Sequence, residues 1–333
     1  MKEIGSIFPL CGKRPDGSLH NNVMVDRKLV SFCREALYII AKKESAAGKR
    51  EMLPRYTCDT VIAPFREQGY ECTFFPTNSD LTIDISKTWE VFATFRPNLI
   101  VVHPYFGMDL TTDEQDMLGK MHRDGCEIIL DLTQCLFSKM RLPFVKYYVG
   151  SMRKWFAIPD GAFLETAETV DIPVNENKDI VALQTEAMRL RAEYFESGDA
   201  ETKSRSISLS HEVEELMTRP ITPHVMAEDS VTLLACENAE RQQKIRIENY
   251  KRLYEGLKDV SDIELIADIS RLTTAPLFFP FRVKDIRSMQ RKLAQKSVYA
   301  RLIWEEEDRI LTITVDQRYD LSDMDRVIAA IKE

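Results

Sequence analysis

Four polar residues that could act together follow two short apolar runs in the middle of the chain. Asp131 and Gln134 come after the run IIL, and Ser151 and Lys154 come after the run YYV, one loop further on. The spacing is D-x-x-Q in the first loop and S-x-x-K in the second. Because the carboxyl ends of neighbouring parallel strands meet at one edge of a sheet, all four side chains could face one ligand.

Lys154 is the candidate nucleophile. A lysine in an arbitrary sequence is usually a solvated surface cation, but this one lies in GSMRKWF among apolar neighbours, directly after a predicted strand. Desolvation by such neighbours would favour the neutral amine. Since the neutral amine is the form that attacks an aldehyde, Lys154 suits a cofactor held as a Schiff base.

The other three residues suit the remaining groups of pyridoxal 5'-phosphate (PLP), a cofactor with such an aldehyde. A carboxylate at Asp131 could keep the pyridine nitrogen protonated, which lets the ring accept electrons from a substrate carbanion. Gln134 could hydrogen-bond the phenolic oxygen, and Ser151 could place a hydroxyl on the phosphate. Asp131 could instead cap the next turn, and Gln134 and Ser151 could equally be structural polar groups.

Residues 28–165 alternate between helical periodicity and short apolar runs. The periodicity predicts a helix over 27–44, and a second helix that Thr111 or Thr112 caps and that stops at Gly125. Strands are predicted at 52–53, 72–75, 99–102, 128–130, 147–149 and 162–164. This alternation is typical of a mainly parallel sheet covered by helices on both faces. Ligands should therefore bind beyond the strand ends, at 55–58, 103–107, 131–134 and 151–154.

The chain after residue 165 has a different texture. Residues 176–217 are polar and strongly helical, and one long helix is predicted over 231–257. The tail is predicted to form a strand at 276–283, a helix at 285–296, strands at 300–304 and 310–315, and a last helix from 323. We therefore predict a large cofactor-binding domain over 1–235 and a small C-terminal domain over 236–333.

Composition and charge exclude several classes of protein. The 333 residues are 44% hydrophobic and 29% charged, which is ordinary for a globular protein. A net charge of −8 without a basic block argues against a nucleic-acid partner. Seven cysteines lack C-x-x-C spacing and five histidines lack a ligand pattern, so no metal site is expected. The N-terminal apolar segment is too short for a signal peptide and no stretch could cross a membrane, so we expect a soluble, cytoplasmic protein.

Several segments resemble one family of enzymes. Residues 30–165 are similar to the PLP-dependent aminotransferases of fold type I, and within them to the DegT/DnrJ/StrS group, whose members aminate keto-sugars attached to nucleotides. The segments that carry the resemblance are LPRYTCDTVIAPF (53–65), LIVVHPYFG (99–107), IILDLTQ (128–134) and GSMRKWFAIPDGAFL (150–164), with IRIENYKRL (245–253), PLFFPFRV (276–283) and TVDQRYDLSDMDRV (314–327) in the tail. Together they span nearly the whole chain in the family's order.

The resemblance implies a fold and a set of residue roles. The fold is α/β: the fold type I PLP-dependent transferase, with a mostly parallel central sheet flanked by helices and a small C-terminal α/β domain. Lys154 would carry the cofactor and Asp131 would pair with the pyridinium nitrogen. Gln134 would contact the ring oxygen, and Ser151 would bind the phosphate.

The family's phosphate-binding turn falls on residues 32–37 (FCREAL). There the backbone amides of Arg34 and Glu35 would bind the phosphate, helped by the helix dipole. The family usually has Ser-Gly where this chain has Phe32 and Cys33.

The aromatic residue that stacks on the cofactor ring in this family falls on Cys58. Cysteine cannot stack, so Tyr56, two residues away, is a substitute, and Tyr105 and Phe106 are further options. The glycine-rich stretch after the lysine is IPDGA here, with only Gly161 retained.

The resemblance implies an aminotransferase. A donor such as glutamate would displace Lys154, whose freed amine would move a proton as general acid and base, and a keto-sugar nucleotide would then receive the amino group. Fold type I sites are generally completed by a neighbouring subunit, so a homodimer is expected. The alternatives are a PLP-dependent lyase or dehydratase, and a non-catalytic regulatory or assembly protein of the same fold. The candidates to bind a donor carboxylate, which the sequence does not rank, are Arg55, Arg153, Arg301 and Arg318.

Overall fold

The computed structural model describes residues 2–5, 7–10, 27–304 and 309–333. The larger of its two sheets contains seven strands from the first half of the chain. They are β1 (Lys28–Val30), β2 (Arg50–Pro54), β3 (Glu71–Phe75), β4 (Leu99–Val102), β5 (Glu127–Asp131), β6 (Val145–Ser151) and β7 (Ala162–Glu165). Their order across the sheet is β1-β7-β6-β5-β4-β2-β3.

Five strands, β6, β5, β4, β2 and β3, run parallel to one another. The strand β7 is the exception, because it pairs antiparallel with both of its neighbours, β6 and β1. The mainly parallel sheet that the sequence predicts is therefore confirmed.

Helices cover both faces of this sheet. Four of them connect its strands: α1 (Cys33–Glu44), α2 (Asp59–Glu67), α3 (Ile85–Phe95) and α4 (Thr112–Arg123). Alternate residues of each strand enter different cores. In β5, Ile129 packs with α1 and α2, whereas Ile128 and Leu130 pack with α3 and α4 on the other face. This is the two-sided burial expected of a parallel sheet.

The start of α4 shows the capping that the sequence predicts. The Thr111 hydroxyl accepts from the amide of Glu114, and the Glu114 carboxylate accepts from the amide of Thr111. The helix ends at Arg123, shortly before Gly125, whose φ of 94° suits glycine.

The prediction of one helix over 27–44 is wrong at its beginning. Residues 28–30 form β1, and Phe32 is extended at the helix N-cap, so α1 starts at Cys33. Apolar residues at helical spacing precede the true start, but they are extended because β7 offers them a pairing partner.

The prediction of one long helix over 231–257 is also wrong. Two helices occupy this region, α7 (Glu228–Ala235) and α8 (Ala239–Leu257), and the Asn238 side chain caps the second by accepting from the amide of Arg241. The helical segment 176–217 is confirmed as α5 (Lys178–Ser197) and α6 (Ala200–Leu216).

A second sheet forms from the tail of the chain. Its four strands are antiparallel in the order β10-β11-β9-β8: β8 (Ile263–Leu265), β9 (Phe278–Val283), β10 (Arg301–Leu302) and β11 (Ile310–Thr314). Its core includes residues of three helices, which are α8, α9 (Ile286–Ala294) and α10 (Leu321–Lys332). The small α/β unit that the sequence predicts is therefore present.

Candidate active site

The carboxyl ends of β5 and β6 lie side by side. These strands are parallel neighbours, with Asp131 paired to Val149, and each is followed by one turn of 3₁₀ helix. Thr133 joins the two turns: its hydroxyl accepts from the amide of Ser151 at 3.1 Å, and its carbonyl accepts from Trp155 Nε1 at 2.7 Å. The D-x-x-Q and S-x-x-K loops are therefore hydrogen-bonded to each other.

One cavity opens at this edge of the sheet. Asp131, Gln134, Ser151 and Lys154 all line it, as the sequence suggests. Arg34 and Cys58 line it too, whereas Glu35 and Tyr56 do not.

Lys154 is more exposed than the sequence suggests. Its neighbours Met152 and Trp155 are fully buried, but Lys154 itself is exposed. The apolar desolvation expected from GSMRKWF therefore falls on the neighbours and not on Lys154 itself. Its amine is accessible from the cavity.

Asp131 is almost completely buried at the end of β5. One carboxylate oxygen, Oδ1, accepts from the amide of Thr133 at 2.8 Å, which is the turn-capping role considered as an alternative. The other, Oδ2, lies 3.5 Å from His103 Nδ1. The capping bond uses only Oδ1, so Oδ2 is left to accept a hydrogen bond from a ligand in the cavity.

His103 links Asp131 to the next strand end. It follows β4, lines the cavity, and its Nε2 lies 2.7 Å from the Thr57 hydroxyl. Burial lowers the pKa of His103, and Asp131 opposes that shift only partly. A neutral imidazole with its proton on Nδ1 would donate toward Asp131 and accept from Thr57. The sequence analysis placed residue 103 at a strand end where ligands should bind but assigned it no role, although a histidine directly after an apolar strand was a usable signal.

Gln134 faces the cavity with its orientation set by a neighbouring loop. Its Oε1 accepts from the amide of Phe106 at 3.3 Å, and the side chain is buried. With the carbonyl oxygen occupied, the amide nitrogen is left to donate into the cavity.

The two backbone amides predicted to bind phosphate differ in the structure. The amide of Glu35 donates to the Phe32 carbonyl at 2.9 Å, and the Glu35 carboxylate accepts from the amide of His224 on the side away from the cavity. The amide of Arg34 has no hydrogen-bond partner among the described residues. Phe32 supplies no side-chain cap, so the start of α1 keeps a free donor.

Trp304, an aromatic residue that the sequence analysis missed, lines the cavity. Its ring contacts the ring of Tyr56 at a centroid distance of 4.6 Å. Tyr56 itself is fully buried, and its hydroxyl donates to the Ile303 carbonyl. Trp304 and Phe106 reach the cavity, whereas Tyr105 does not. Trp304 comes from the small sheet's side of the molecule, about 150 residues after Lys154, so no local pattern pointed to it.

Of the four candidate carboxylate-binding arginines, only Arg153 lines the cavity. Arg318 forms an ion pair with Asp316 at 2.7 Å, and Arg301 donates to the Gly5 carbonyl.

No group of His, Cys, Asp or Glu within the described ranges could hold a metal ion. The six cysteines in those ranges are free thiols, and Cys11 lies outside them. None of the helices that the structure describes is long and apolar enough to cross a membrane.

Solved structures identify the fold as that of the fold type I aminotransferases. The aminotransferase TlmJ from Streptoalloteichus hindustanus is 15% identical, with a TM-score of 0.70 over 99% of this chain and 98% of its own. PseC of Helicobacter pylori, an aminotransferase involved in the biosynthesis of pseudoaminic acid, is 11% identical, with a TM-score of 0.66 over 99% of this chain and 98% of its own. NtdA from Bacillus subtilis, solved with bound cofactor PMP, is 14% identical, with a TM-score of 0.65 over 92% of this chain and 72% of its own.

Sequence comparisons add nothing to this, because no family model and no curated protein matches the chain. At such low identities the structural likeness shows the fold. The fold predicted from the resemblance is thereby confirmed.

Proposed function

We propose that this protein is a PLP-dependent aminotransferase of the DegT/DnrJ/StrS type, divided into domains 1–235 and 236–333. The observation that carries the proposal is that Lys154 and Asp131 line the same cavity, at the ends of adjacent parallel strands. An amine and a buried carboxylate on one cavity are the two groups that opposite ends of the cofactor ring require.

The remaining donors of the cavity fit the cofactor as well. A hydroxyl at Ser151, an amide group at Gln134 and the unpartnered amide of Arg34 are all available on its wall. PLP, when bound, supplies the electron sink that stabilises negative charge on the substrate carbon.

Each residue then has a definite task. Lys154 would hold the cofactor through its Nζ, and its amine is the group that would move a proton as general base and acid. Asp131, supported by His103, would keep the ring nitrogen protonated. Gln134 would donate to the ring oxygen, and Ser151 would donate to the phosphate.

For the substrates, we propose a glutamate-like amino donor and a keto-sugar nucleotide as acceptor. This assignment rests on the resemblance of the sequence to the DegT/DnrJ/StrS group, and the name of the similar PseC supports it, since pseudoaminic acid is an amino sugar. The cytoplasmic location expected from the sequence stays a prediction.

The test is an absorption spectrum of the purified protein with PLP, followed by addition of glutamate. We expect a visible band that requires Lys154 and that glutamate converts to the band of the aminated cofactor. Lys154→Ala should form no covalent adduct after borohydride reduction and should transfer amino groups at least about a hundred-fold more slowly, since it removes both nucleophile and proton carrier. Lys139→Ala is the control, because Lys139 is exposed and does not line the cavity.

Three outcomes would contradict the proposal. An adduct that survives at another lysine in Lys154→Ala would overturn the site. Regeneration of the original band with release of a keto product would indicate a lyase or dehydratase. A band that no amino acid changes would favour a non-catalytic protein of this fold.

A further inference from the structure

Two guanidinium groups line the cavity beside the start of α1. Arg34 is the second residue of that helix, and Arg153 directly precedes the lysine in the turn after β6. Both reach Met217 at the end of α6: Arg34 Nη1 donates to its carbonyl oxygen, and Arg153 Nη2 lies 3.8 Å from its sulfur. The Arg153 guanidinium also lies 5.2 Å from the centre of the Phe32 ring, which orients it.

Neither of these two guanidinium groups forms an ion pair with another described residue. Glu35 beside Arg34 and Glu214 beside Arg153 both lie beyond ion-pair distance. Arg34 is only 8% exposed, and its Nε has no hydrogen-bond partner among the described residues. Burial lowers the pKa of both arginines, and the charge of Arg34 lowers that of Arg153 further.

Uncharged donors lie at the same end of the cavity. The amide of Arg34 is free at the uncapped start of a twelve-residue helix, and the Ser151 hydroxyl lies on the adjacent turn. A helix start attracts anions through its free amides and its dipole, and a planar guanidinium matches the oxygens of a phosphate. A bound anion would also relieve the repulsion between the two arginines.

We infer that the side chains of Arg34 and Arg153 bind the phosphate monoester of the cofactor. The inference rests on the proposed function and assigns to two side chains a task that the resemblance gave to backbone amides. It accounts for the presence of Phe32 and Cys33 in the phosphate-binding turn, since guanidinium groups supply the contact that a small-residue turn would otherwise make.

The test compares PLP with pyridoxal, which has the same ring and aldehyde but no phosphate. Dissociation constants of both are measured by absorbance titration for the wild type, Arg34→Gln, Arg153→Gln and Arg219→Gln. Each of the first two variants should bind PLP about 10- to 100-fold more weakly, with pyridoxal binding unchanged, because each loses a charged hydrogen bond to phosphate. Arg219→Gln is the matched control, since Arg219 is exposed near the same helix end and lies outside the cavity lining.

The outcomes separate this inference from the proposed function. Unchanged PLP affinity in both variants, or an equal loss of PLP and pyridoxal, would overturn the role of the arginines while leaving the function intact. If the wild type forms no adduct with PLP, the proposed function fails. Calorimetric titration with inorganic phosphate then still decides the anion site: binding that Arg34→Gln and Arg153→Gln abolish supports it, and no binding to the wild type overturns it.

Discussion

Two buried carboxylates near the cavity are held in different ways. Asp131 faces the cavity and has an amide and an imidazole beside it. Glu35 points the other way, into the protein, where its main partners are the backbone amide and the imidazole of His224. Burial is the largest effect on Glu35 and raises its pKa from 4.5 to about 8, so the carboxyl group stays protonated at neutral pH.

This pKa predicts how the stability of the protein depends on pH. The folded state keeps the Glu35 proton to a higher pH than the unfolded state does. The stability that this protonated carboxyl group contributes is therefore complete below about pH 4.5 and is lost as the pH rises toward 8. Across that window the wild type should lose up to about 1.4 kcal/mol per pH unit relative to Glu35→Gln, which cannot ionise. Urea unfolding from pH 5 to 8 measures the difference.

The exposed Glu71→Gln on β3 is the control for this measurement and should follow the wild type. The glutamine at position 35 can still accept from the amide of His224, so its effect isolates the charge. Parallel stability curves for the wild type and Glu35→Gln would show that Glu35 ionises freely in the folded protein.

At the scale of elements, α8 connects the lysine turn to the small sheet. Arg246 on this helix is fully buried, and its guanidinium donates to the carbonyls of Trp155, Pro276 and Leu277 and to the side chain of Gln317. It also lies 4.4 Å from the centre of the Trp155 ring. One side chain thus holds the residue after Lys154 together with the segment that leads into β9, whose Leu277 also lines the cavity.

Arg246→Lys should therefore destabilise the protein by about 2–4 kcal/mol. Burial lowers the pKa of Arg246 only to about 10, so the guanidinium is charged at neutral pH. A lysine would keep the positive charge, but it cannot make the same set of planar hydrogen bonds. Chemical denaturation measures the loss. Arg252→Lys on the same helix is the control, since its ion pair with Asp325 is half exposed and should change stability by less than about 1 kcal/mol. Equal effects of the two substitutions would contradict the role assigned to Arg246.

At the scale of the molecule, the prediction concerns assembly. The resemblance implies a homodimer in which each cavity is completed by a neighbouring subunit. Light scattering after size-exclusion chromatography should give about twice the 38.5 kDa of one chain. A monomer with full amino-transfer activity would contradict the expected homodimer, because the cavity of a single chain would then be sufficient for catalysis.

Much of the large sheet could be predicted from local sequence. The runs LIVV and IIL form strands because they are apolar on both faces, and polar residues that directly follow such runs must lie at one edge of the sheet. That is why the sequence alone is enough to group Asp131, Gln134, Ser151 and Lys154. The three-residue strand β1 could not be recognised, because it exists only through its pairing with β7.

Other features of the cavity depend on residues far apart in the chain. Arg34, Arg153 and Met217 meet only when α1, the lysine turn and the end of α6 pack together, and Trp304 reaches the same cavity from beyond the small sheet's edge. The sequence by itself determined which strand ends carry the reactive groups, since strand identity follows from local hydrophobic pattern. Only the tertiary structure decided what charges and rings surround those groups, because contacts between distant segments leave no periodic signal in the sequence.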